Sequence, residues 1–179
     1  MTGTTPGVAA LIVRVLLAAI LARASLHKWR NRAPFIEELR AYRLLPNAMT
    51  APMAVALAIV ESATAIALLN PMSTLPAVAA AALFAGYGAA IVVNLLRGRT
   101  DISCGCGGPL AARRTIDWTL VARNAGLTTL AVFAFATSAP SLDLSFALLV
   151  VAASATALLL YEAIEQAIAN RQQVLAWQR

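Results

Sequence analysis

The sequence predicts an all-α membrane protein, a polytopic bundle of about five transmembrane helices with short interfacial helices. Composition and long apolar runs are the two observations that predict this fold class. Of 179 residues, 60% are hydrophobic and 12% are charged, and the mean hydropathy is +0.76. Soluble domains contain about 45–50% apolar and about 25% charged residues. The composition therefore excludes an ordinary soluble domain.

The individual spans follow from the length of each apolar run. A helix that crosses a bilayer needs about 20 mainly apolar residues. Runs of this length, rich in alanine and leucine, predict helices and not barrel strands, because every backbone amide must be satisfied within the membrane. The expected spans are Val8–Leu26, Thr50–Leu69, Leu75–Leu96, Ile116–Ala136 and Leu142–Tyr161. Residues 1–179 are expected to form a single integral membrane domain.

Basic residues are distributed unevenly between the connecting segments. The connections after the first and third spans are rich in lysine and arginine, whereas the N-terminal tail and the other two turns contain none. Because basic loops remain in the cytoplasm, we expect the N-terminus outside and the C-terminus inside a bacterial cytoplasmic membrane. This topology and anionic lipid headgroups account for the net charge of +6 without a nucleic-acid partner.

Two amphipathic segments adjoin the spans. In Pro34–Leu45, apolar side chains recur at helical spacing, with Glu37, Glu38 and Arg40 expected on other faces. This pattern is typical of a short helix at the membrane interface. The C-terminal tail, Glu162–Arg179, has a similar amphipathic character and carries Trp177 near its end.

Ionisable side chains within the spans are costly, by roughly 2.5 kcal/mol or more each, and so indicate a function or a structural role. Arg14 and Glu61 are expected at similar depth, where they can pair. Arg123 and Asn124 form a second polar group closer to the cysteines, whereas Lys28 is expected to snorkel to the interface. The alternative reading is that these residues only hold helices together.

Both cysteines lie in the loop after the third span, as Cys104-Gly105-Cys106. Their spacing allows a small, strained disulfide, which suits exchange better than structural cross-linking. Gly105 supplies the backbone freedom to close the ring. Neighbouring arginines favour the thiolate form. The loop is therefore a candidate accessible dithiol.

Two other readings of the cysteines remain open. Thiolates also bind copper(I) or zinc, but only His27 and Asp101 are obvious further ligands, so we assign no metal site. The cysteines could also be incidental residues of a turn, since free cysteine is common at buried apolar sites. Their position in a polar, glycine-rich loop argues against that reading.

The order of these features resembles the MauE family of methylamine-utilisation membrane proteins, within the wider MauE/DoxX group of redox-associated membrane proteins. The resemblance covers roughly residues 8–137 and departs from the expected pattern at Gly107, where a phenylalanine would follow the second cysteine. The matching residues are Lys28, Phe35, Tyr42-Arg43-Leu44-Leu45-Pro46, Glu61, Arg97-Gly98-Arg99, Cys104-Gly105-Cys106 and Arg123-Asn124.

The resemblance implies a protein that acts with a thioredoxin-like partner, MauD in that family. The pair would form or reshuffle disulfides of an exported protein, the small subunit of methylamine dehydrogenase. An exported partner disagrees with the charge pattern, which places the cysteine loop in the cytoplasm.

The sequence is therefore consistent with three functions. The leading one is thiol–disulfide exchange through Cys104 and Cys106, with Arg14, Lys28, Glu61, Gly105, Arg123 and Asn124 in support. The alternatives are a scaffold or assembly factor without redox chemistry and a small-molecule carrier whose path is lined by Arg14, Glu61 and Arg123. A quinone could exchange electrons with the dithiol, although no residue pattern in the sequence identifies a quinone site.

Overall fold

The structure is a computed structural model that describes the backbone of residues 4–103, 115–137 and 144–177. Six helices account for nearly all of these residues. They are α1 (Thr4–Arg30), α2 (Arg32–Tyr42), α3 (Asn47–Leu68), α4 (Leu75–Leu96), α5 (Trp118–Ala136) and α6 (Leu144–Trp177). All except α2 contain a stretch long and apolar enough to cross a membrane. The predicted all-α class with five spanning helices is therefore confirmed.

Several helices differ in extent from the sequence expectation. Helix α1 extends beyond the predicted span at both ends, and α6 continues without interruption from its apolar part into the C-terminal tail. Helix α5 begins after Asp117, whose side chain accepts a hydrogen bond from the Leu120 backbone amide at 3.1 Å. An aspartate in this position satisfies one of the free amides of the first turn.

The chain leaves α2 and α4 through residues in the left-handed backbone region. Arg43 follows α2 with φ 49°, and Gly98 follows α4 with φ 70°. The amide of Gly98 donates to the Leu95 carbonyl at 3.0 Å, which closes the last turn of α4. Glycine adopts this conformation without the steric cost that a Cβ atom would bring.

The bundle is built on two close helix pairs, α1 with α3 and α4 with α5, while α6 packs chiefly against α1. Small and medium apolar side chains from α1, α3, α4 and α5 form the main core. Its buried members are Leu17, Ala18, Leu21, Ala65, Leu68, Ala77, Ala80, Phe84, Leu127, Ala131 and Ala134. Alanines allow the helix backbones to approach closely where lipid supplies no hydrophobic drive.

Different helices and connections lie at the two ends of the bundle. At one end lie α2 and the connection between α4 and α5, which includes the cysteines, and we call this the loop end. At the other lie the turn between α3 and α4 and the last turn of α5, which we call the turn end. A second small core at the loop end joins this connection to α4 and α5 through Ile91, Ile102, Ile116 and Leu120.

Candidate functional site: a largely apolar cavity near the loop end

A cavity of about 410 Å³ lies between the helices in the half of the bundle nearest the loop end. Helices α1, α3, α4 and α5 form its walls. Helix α2 closes its loop-end side, which we call the cavity floor, with Phe35, Glu38, Leu39 and Tyr42. Most of the lining is apolar. The ionisable members are Lys28, Glu38, Tyr42, Glu61, Tyr87, Arg123 and Tyr161. A largely apolar cavity of this size with a few convergent polar groups is the usual form of a small-molecule site.

A fully buried ion pair lies in the wall of this cavity. The Lys28 ammonium donates to both carboxylate oxygens of Glu61 at 2.8 Å. Lys28 is 3% exposed and Glu61 is 0% exposed. The Tyr87 hydroxyl donates to Glu61 Oε1 at 2.5 Å, and the Phe35 ring centroid lies 5.0 Å from the ammonium. Both charges are thus satisfied by partners from four helices.

This pair corrects two sequence expectations. Lys28 does not snorkel to the interface, and Glu61 pairs with Lys28 and not with Arg14. Helices α1 and α3 run antiparallel with Lys28 level with Glu61. Arg14 is fourteen residues earlier on α1, so it lies about 21 Å from that level along the helix. The expected pairing was wrong because it depends on how far α1 is shifted along α3. Apolar composition does not determine this shift.

Arg14 instead joins three chain segments at the turn end. Its guanidinium donates to the backbone carbonyls of Ser73 at 2.8 Å, Asn70 at 3.2 Å and Ala134 at 3.2 Å. A buried cation near free carbonyls at helix ends is favoured by the helix dipole. Arg14 does not line the cavity. A single path lined by Arg14, Glu61 and Arg123, as a carrier would need, is therefore not formed by this cavity.

Helix α2 presents Glu38 to the cavity, contrary to the expectation that this residue lies on another face. Phe35, Glu38, Leu39 and Tyr42 are spaced as one side of a helix and all line the cavity. Burial raises the pKa of the Glu38 carboxyl above its ordinary value of 4.5. Burial and the nearby Glu38 charge raise the pKa of Tyr42 to about 12. The cavity floor thus holds a carboxyl group whose charged form is poorly solvated.

Arg123 and Asn124 both reach the cavity from α5, as the sequence suggested for a polar group near the cysteines. Arg123 donates to Glu165 of α6 at 3.4 Å. Asn124 is 1% exposed, and its amide nitrogen donates to the Leu120 carbonyl at 2.8 Å. Its oxygen, Oδ1, has no hydrogen-bond partner among the described residues. This oxygen is fully buried, so it does not face the open part of the cavity.

The segment that carries the cysteines is held at both ends. The Ser103 backbone pairs with Thr115 in an antiparallel bridge, and the Ile116 amide donates to the Ile102 carbonyl at 3.0 Å. The Ser103 hydroxyl contacts Glu38 Oε1 at 3.4 Å. Residues 104–114, including Cys104, Gly105 and Cys106, lie outside the described residues. Their two attachment points lie beside the cavity floor.

Arg99 fixes α2 to the start of this segment. Its guanidinium donates to the carbonyls of Ala41 at 2.7 Å and Tyr42 at 3.3 Å, and to Asn94 Oδ1 at 3.1 Å. These carbonyls belong to the last turn of α2, where no further helical amide is available to bond them. Arg99 therefore ties α2, α4 and the cysteine-bearing connection together.

Sequence reasoning did not name Tyr87, and it named Glu38 and Arg99 without placing them at this site. The spacing of Glu38 to Phe35 and Tyr42 puts it on their side of α2, but a glutamate in an amphipathic pattern usually faces solvent. Tyr87 was detectable as a polar side chain in the middle of an apolar span, since a buried tyrosine hydroxyl usually finds a partner. Arg99 was visible in the Arg97-Gly98-Arg99 match, but its partners had no sequence signal, because they are mainly backbone carbonyls.

Comparison with known proteins identifies relatives over most of the chain. The family model described as methylamine utilisation protein MauE matches residues 6–137. Methylamine utilization protein MauE of Paracoccus denitrificans is 39% identical over 153 residues, covering 83% of this chain and 81% of that protein. The protein of the same name from Paracoccus versutus is 39% identical over 125 residues, covering 69% of this chain and 67% of that protein.

A third relative of that name, from Methylophilus methylotrophus, is 43% identical over 98 residues, covering 54% of this chain and 52% of that protein. No solved structure matches the chain. The matched region extends from Pro6 in the first turn of α1 to the end of α5, and it contains every residue of the cavity described above except Tyr161. On these similarities the chain belongs to the MauE family.

Proposed function

We propose that this protein is a membrane thiol–disulfide exchange protein of methylamine utilisation, with Cys104 and Cys106 as its reactive pair. Its partner in this proposal is a thioredoxin-like protein of the MauD type, and the pair serves disulfide formation or maturation of an exported protein. The observation that carries the proposal is a Cys-Gly-Cys sequence between two fixed attachment points, in a chain of the MauE family.

The surroundings of the attachment points support exchange chemistry. Thiolates are the attacking form of cysteine, and nearby positive charge favours them. The connection that contains the cysteines carries four arginines, Arg97, Arg99, Arg113 and Arg114. Arg99 and the Ser103–Thr115 bridge hold the ends of this connection against α2 and α5. The two ends of the cysteine-bearing segment are therefore fixed to the bundle.

The proposed step transfers two electrons from the partner. A partner thiolate attacks one sulfur of a Cys104–Cys106 disulfide, which breaks that bond and forms a mixed disulfide with the partner. The other cysteine leaves as a thiolate. The second partner thiolate then attacks the partner's own sulfur, so that the partner becomes a disulfide and Cys104 and Cys106 take up two electrons and two protons.

Trapping the mixed disulfide tests this proposal. We expect Cys106→Ser to accumulate a covalent complex with a thioredoxin-fold protein. The remaining Cys104 thiolate can attack the disulfide of the oxidised partner, the reverse of the step above, and Cys106 is no longer present to resolve the mixed disulfide. Cys104→Ser should trap less. The complex is detected on a non-reducing gel and by mass spectrometry, and dithiothreitol should dissolve it.

The double variant Cys104→Ser/Cys106→Ser is the matched control and should trap nothing. Mass-tagged maleimide should label neither cysteine of the folded wild type before reduction and both afterwards. Free thiols under mild oxidant, with no complex from either single variant, would contradict exchange and favour the non-redox scaffold.

A further inference from the structure

The cavity described above lies between the two close helix pairs of the bundle. Helices α1 and α3 form its wall on one side, α4 and α5 form it on the other, and α2 closes its floor. Its volume is about 410 Å³, and most of its lining is apolar. An apolar cavity of roughly 150 Å³ already excludes water and takes up an apolar guest. We therefore expect this larger cavity to be occupied by an apolar group in the membrane.

The polar side chains of the lining are already used within the protein. Lys28 and Glu61 bond each other, and Tyr87 donates to Glu61. Two lining oxygens lack a partner among the described residues, Glu38 Oε2 and Asn124 Oδ1, but both are fully buried and cannot be reached from the cavity. The remaining ionisable members also interact with other groups of the protein, and they are Glu38, Tyr42, Arg123 and Tyr161. A hydrocarbon therefore fits this lining.

The cavity is elongated along the helix axes. Its lining extends over residues 20–28 of α1, 53–61 of α3 and 82–91 of α4. At about 1.5 Å per residue, each of these stretches is about 12–14 Å long. The hydrocarbon core of a bilayer is about 30 Å thick, so one leaflet measures about 15 Å. The cavity thus has the length and the direction of one acyl chain in a single leaflet.

A positive charge lies close to where the headgroup of such a lipid would be. Arg43 is exposed at the loop end, and its neighbours in the chain, Tyr42 and Leu44, both line the cavity. Arginines at the membrane interface attract anionic headgroups. The lining suits the chain and Arg43 suits the phosphate, a combination that fits a phospholipid better than a neutral hydrocarbon.

We infer that this cavity holds one acyl chain of a phospholipid from the leaflet at the loop end. This binding site is separate from the proposed exchange chemistry and does not depend on it. The chain fills the space between the α1–α3 pair and the α4–α5 pair. Because an unfilled cavity destabilises a protein in proportion to its volume, the bound lipid also stabilises the bundle.

Bound lipid is counted by native mass spectrometry on the full chain, extracted from membranes of phosphatidylglycerol and phosphatidylethanolamine. The detergent has a steroid tail, so that it supplies no flexible hydrocarbon chain to the cavity. We expect one phospholipid per chain to remain bound after the detergent has been removed in the gas phase. Extraction and lipid analysis of the same sample identify the bound molecule.

Ala90→Phe tests the cavity itself. Ala90 lies on the face of α4 that lines the cavity, together with Leu83 and Tyr87, so a phenylalanine ring there should obstruct the chain. Ala85→Phe is the matched control, because Ala85 is in the same helix, is exposed and does not line the cavity. We expect Ala90→Phe to lose the retained phospholipid and Ala85→Phe to keep it.

A second variant pair keeps the test valid if Ala90→Phe does not fold. Ala24 lines the cavity from α1, whereas Ala19 of the same helix does not, and both are half-buried. Ala24→Phe should therefore lose the phospholipid, and Ala19→Phe should keep it.

Thermal unfolding gives an independent readout on delipidated protein. We expect phosphatidylglycerol to raise the unfolding temperature of the wild type by about 5 °C or more at saturation. Ala90→Phe should respond much less, because its own side chain fills part of the space. Glycerophosphoglycerol, which is the headgroup without acyl chains, should leave both proteins unchanged.

Equal retention of phospholipid by Ala90→Phe and the wild type would place the lipid on the outer surface and overturn the inference. A quinone or another apolar molecule found in place of phospholipid would overturn the choice of ligand. No retained molecule, with no thermal response to phosphatidylglycerol, would overturn the site. Failure of the mixed-disulfide trap would contradict only the exchange proposal.

Discussion

At the scale of single residues, Lys28 and Glu61 form the most deeply buried ion pair among the described residues. Each ion has lost its hydration, and each recovers hydrogen bonds from the other. Tyr87 completes the bonding of the carboxylate. Such a pair adds little to the free energy of unfolding compared with well-packed apolar side chains in its place. Removing one partner, however, leaves an uncompensated buried charge.

Single replacements within this pair should therefore be far more damaging than their combination. We expect Lys28→Met or Glu61→Gln to lower the free energy of unfolding by about 3–5 kcal/mol. The double variant should lose clearly less than the sum, because it leaves no uncompensated buried charge. Thermal unfolding in detergent, with folded yield as a second readout, measures the difference.

The exposed pair of Arg23 and Glu162 is the control. Arg23 is 49% exposed, so Arg23→Gln should cost no more than about 1 kcal/mol. Arg14→Met combined with Glu61→Gln provides a second comparison, and their losses should add because the two sites share no partner. Additive losses for Lys28 and Glu61 themselves would contradict the pairing.

The sequence revealed the charged residues of the site more readily than their partners. Arg14, Lys28, Glu61 and Arg123 stand out because ionisable groups are rare in apolar runs. Their partners depend on how far one helix is shifted along another, which a period of 3.6 residues does not determine. Arg14 shows the limit most clearly, since all three of its acceptors are backbone carbonyls.

At the scale of helices, α2 is the element whose placement the sequence explains least. Its helical spacing was visible, but the choice of Glu38 for the buried face was not, because a glutamate in an amphipathic pattern usually faces solvent. The structure places Glu38 between Phe35 and Tyr42 on the cavity side. Arg99 holds the end of the helix there through the carbonyls of Ala41 and Tyr42.

Removing this guanidinium should loosen α2 without unfolding the bundle. Hydrogen bonds from a charged donor contribute about 1.5–3 kcal/mol each. We expect Arg99→Ala to speed hydrogen exchange of the α2 amides by roughly tenfold or more, while the amides of α4 and α5 keep their protection. Exchange followed by mass spectrometry on the detergent-solubilised protein resolves the two regions.

Arg97→Ala is the matched control, since Arg97 lies two residues earlier in the same connection and is exposed. It removes the same charge and should leave α2 exchange unchanged. Arg99→Lys should give an intermediate rate, because an ammonium cannot reproduce the forked geometry of the guanidinium. Equally accelerated hydrogen exchange in the Arg97 and Arg99 variants would mean that net charge, and not the hydrogen bonds of Arg99, stabilises α2.

At the scale of the whole molecule, apolar composition was sufficient to predict five spanning helices, because a run of about 20 apolar residues has few other stable forms. The helix limits were less predictable. Helix α1 passes through Arg14 and Lys28 without breaking, since both side chains find hydrogen-bond acceptors inside the bundle. Helix α6 runs beyond its apolar part and packs chiefly against α1.

The charge difference between the two ends predicts how the bundle sits in the membrane. The loop end carries the arginine-rich connections, whereas the turn between α3 and α4 has no basic residue. We expect the loop end in the cytoplasm and the N-terminus outside. Reporters that are active on only one side, fused at Thr2, Ser141 and Arg179, should show the first two outside and the last inside.

Reversed signals would place the cysteines on the exported side and match an exported MauD-type partner directly. Removal of basic residues gives an independent control. Replacing Arg30, Arg32 and Arg40 by glutamine removes three basic residues flanking the spans, and it should shift some of the chains toward the opposite orientation only if the arginines set it.

The Lys28–Glu61 pair also determines the order in which the protein can be assembled. Lys28 is synthesised thirty-three residues before its counter-ion, so the first helix reaches the membrane with an unbalanced charge near its end. It cannot settle at its final depth until Glu61 has followed it. Helices α1 and α3 are thus the smallest unit in which the Lys28 charge is balanced, and we expect them to enter lipid together before α4 adds the tyrosine that completes the pair.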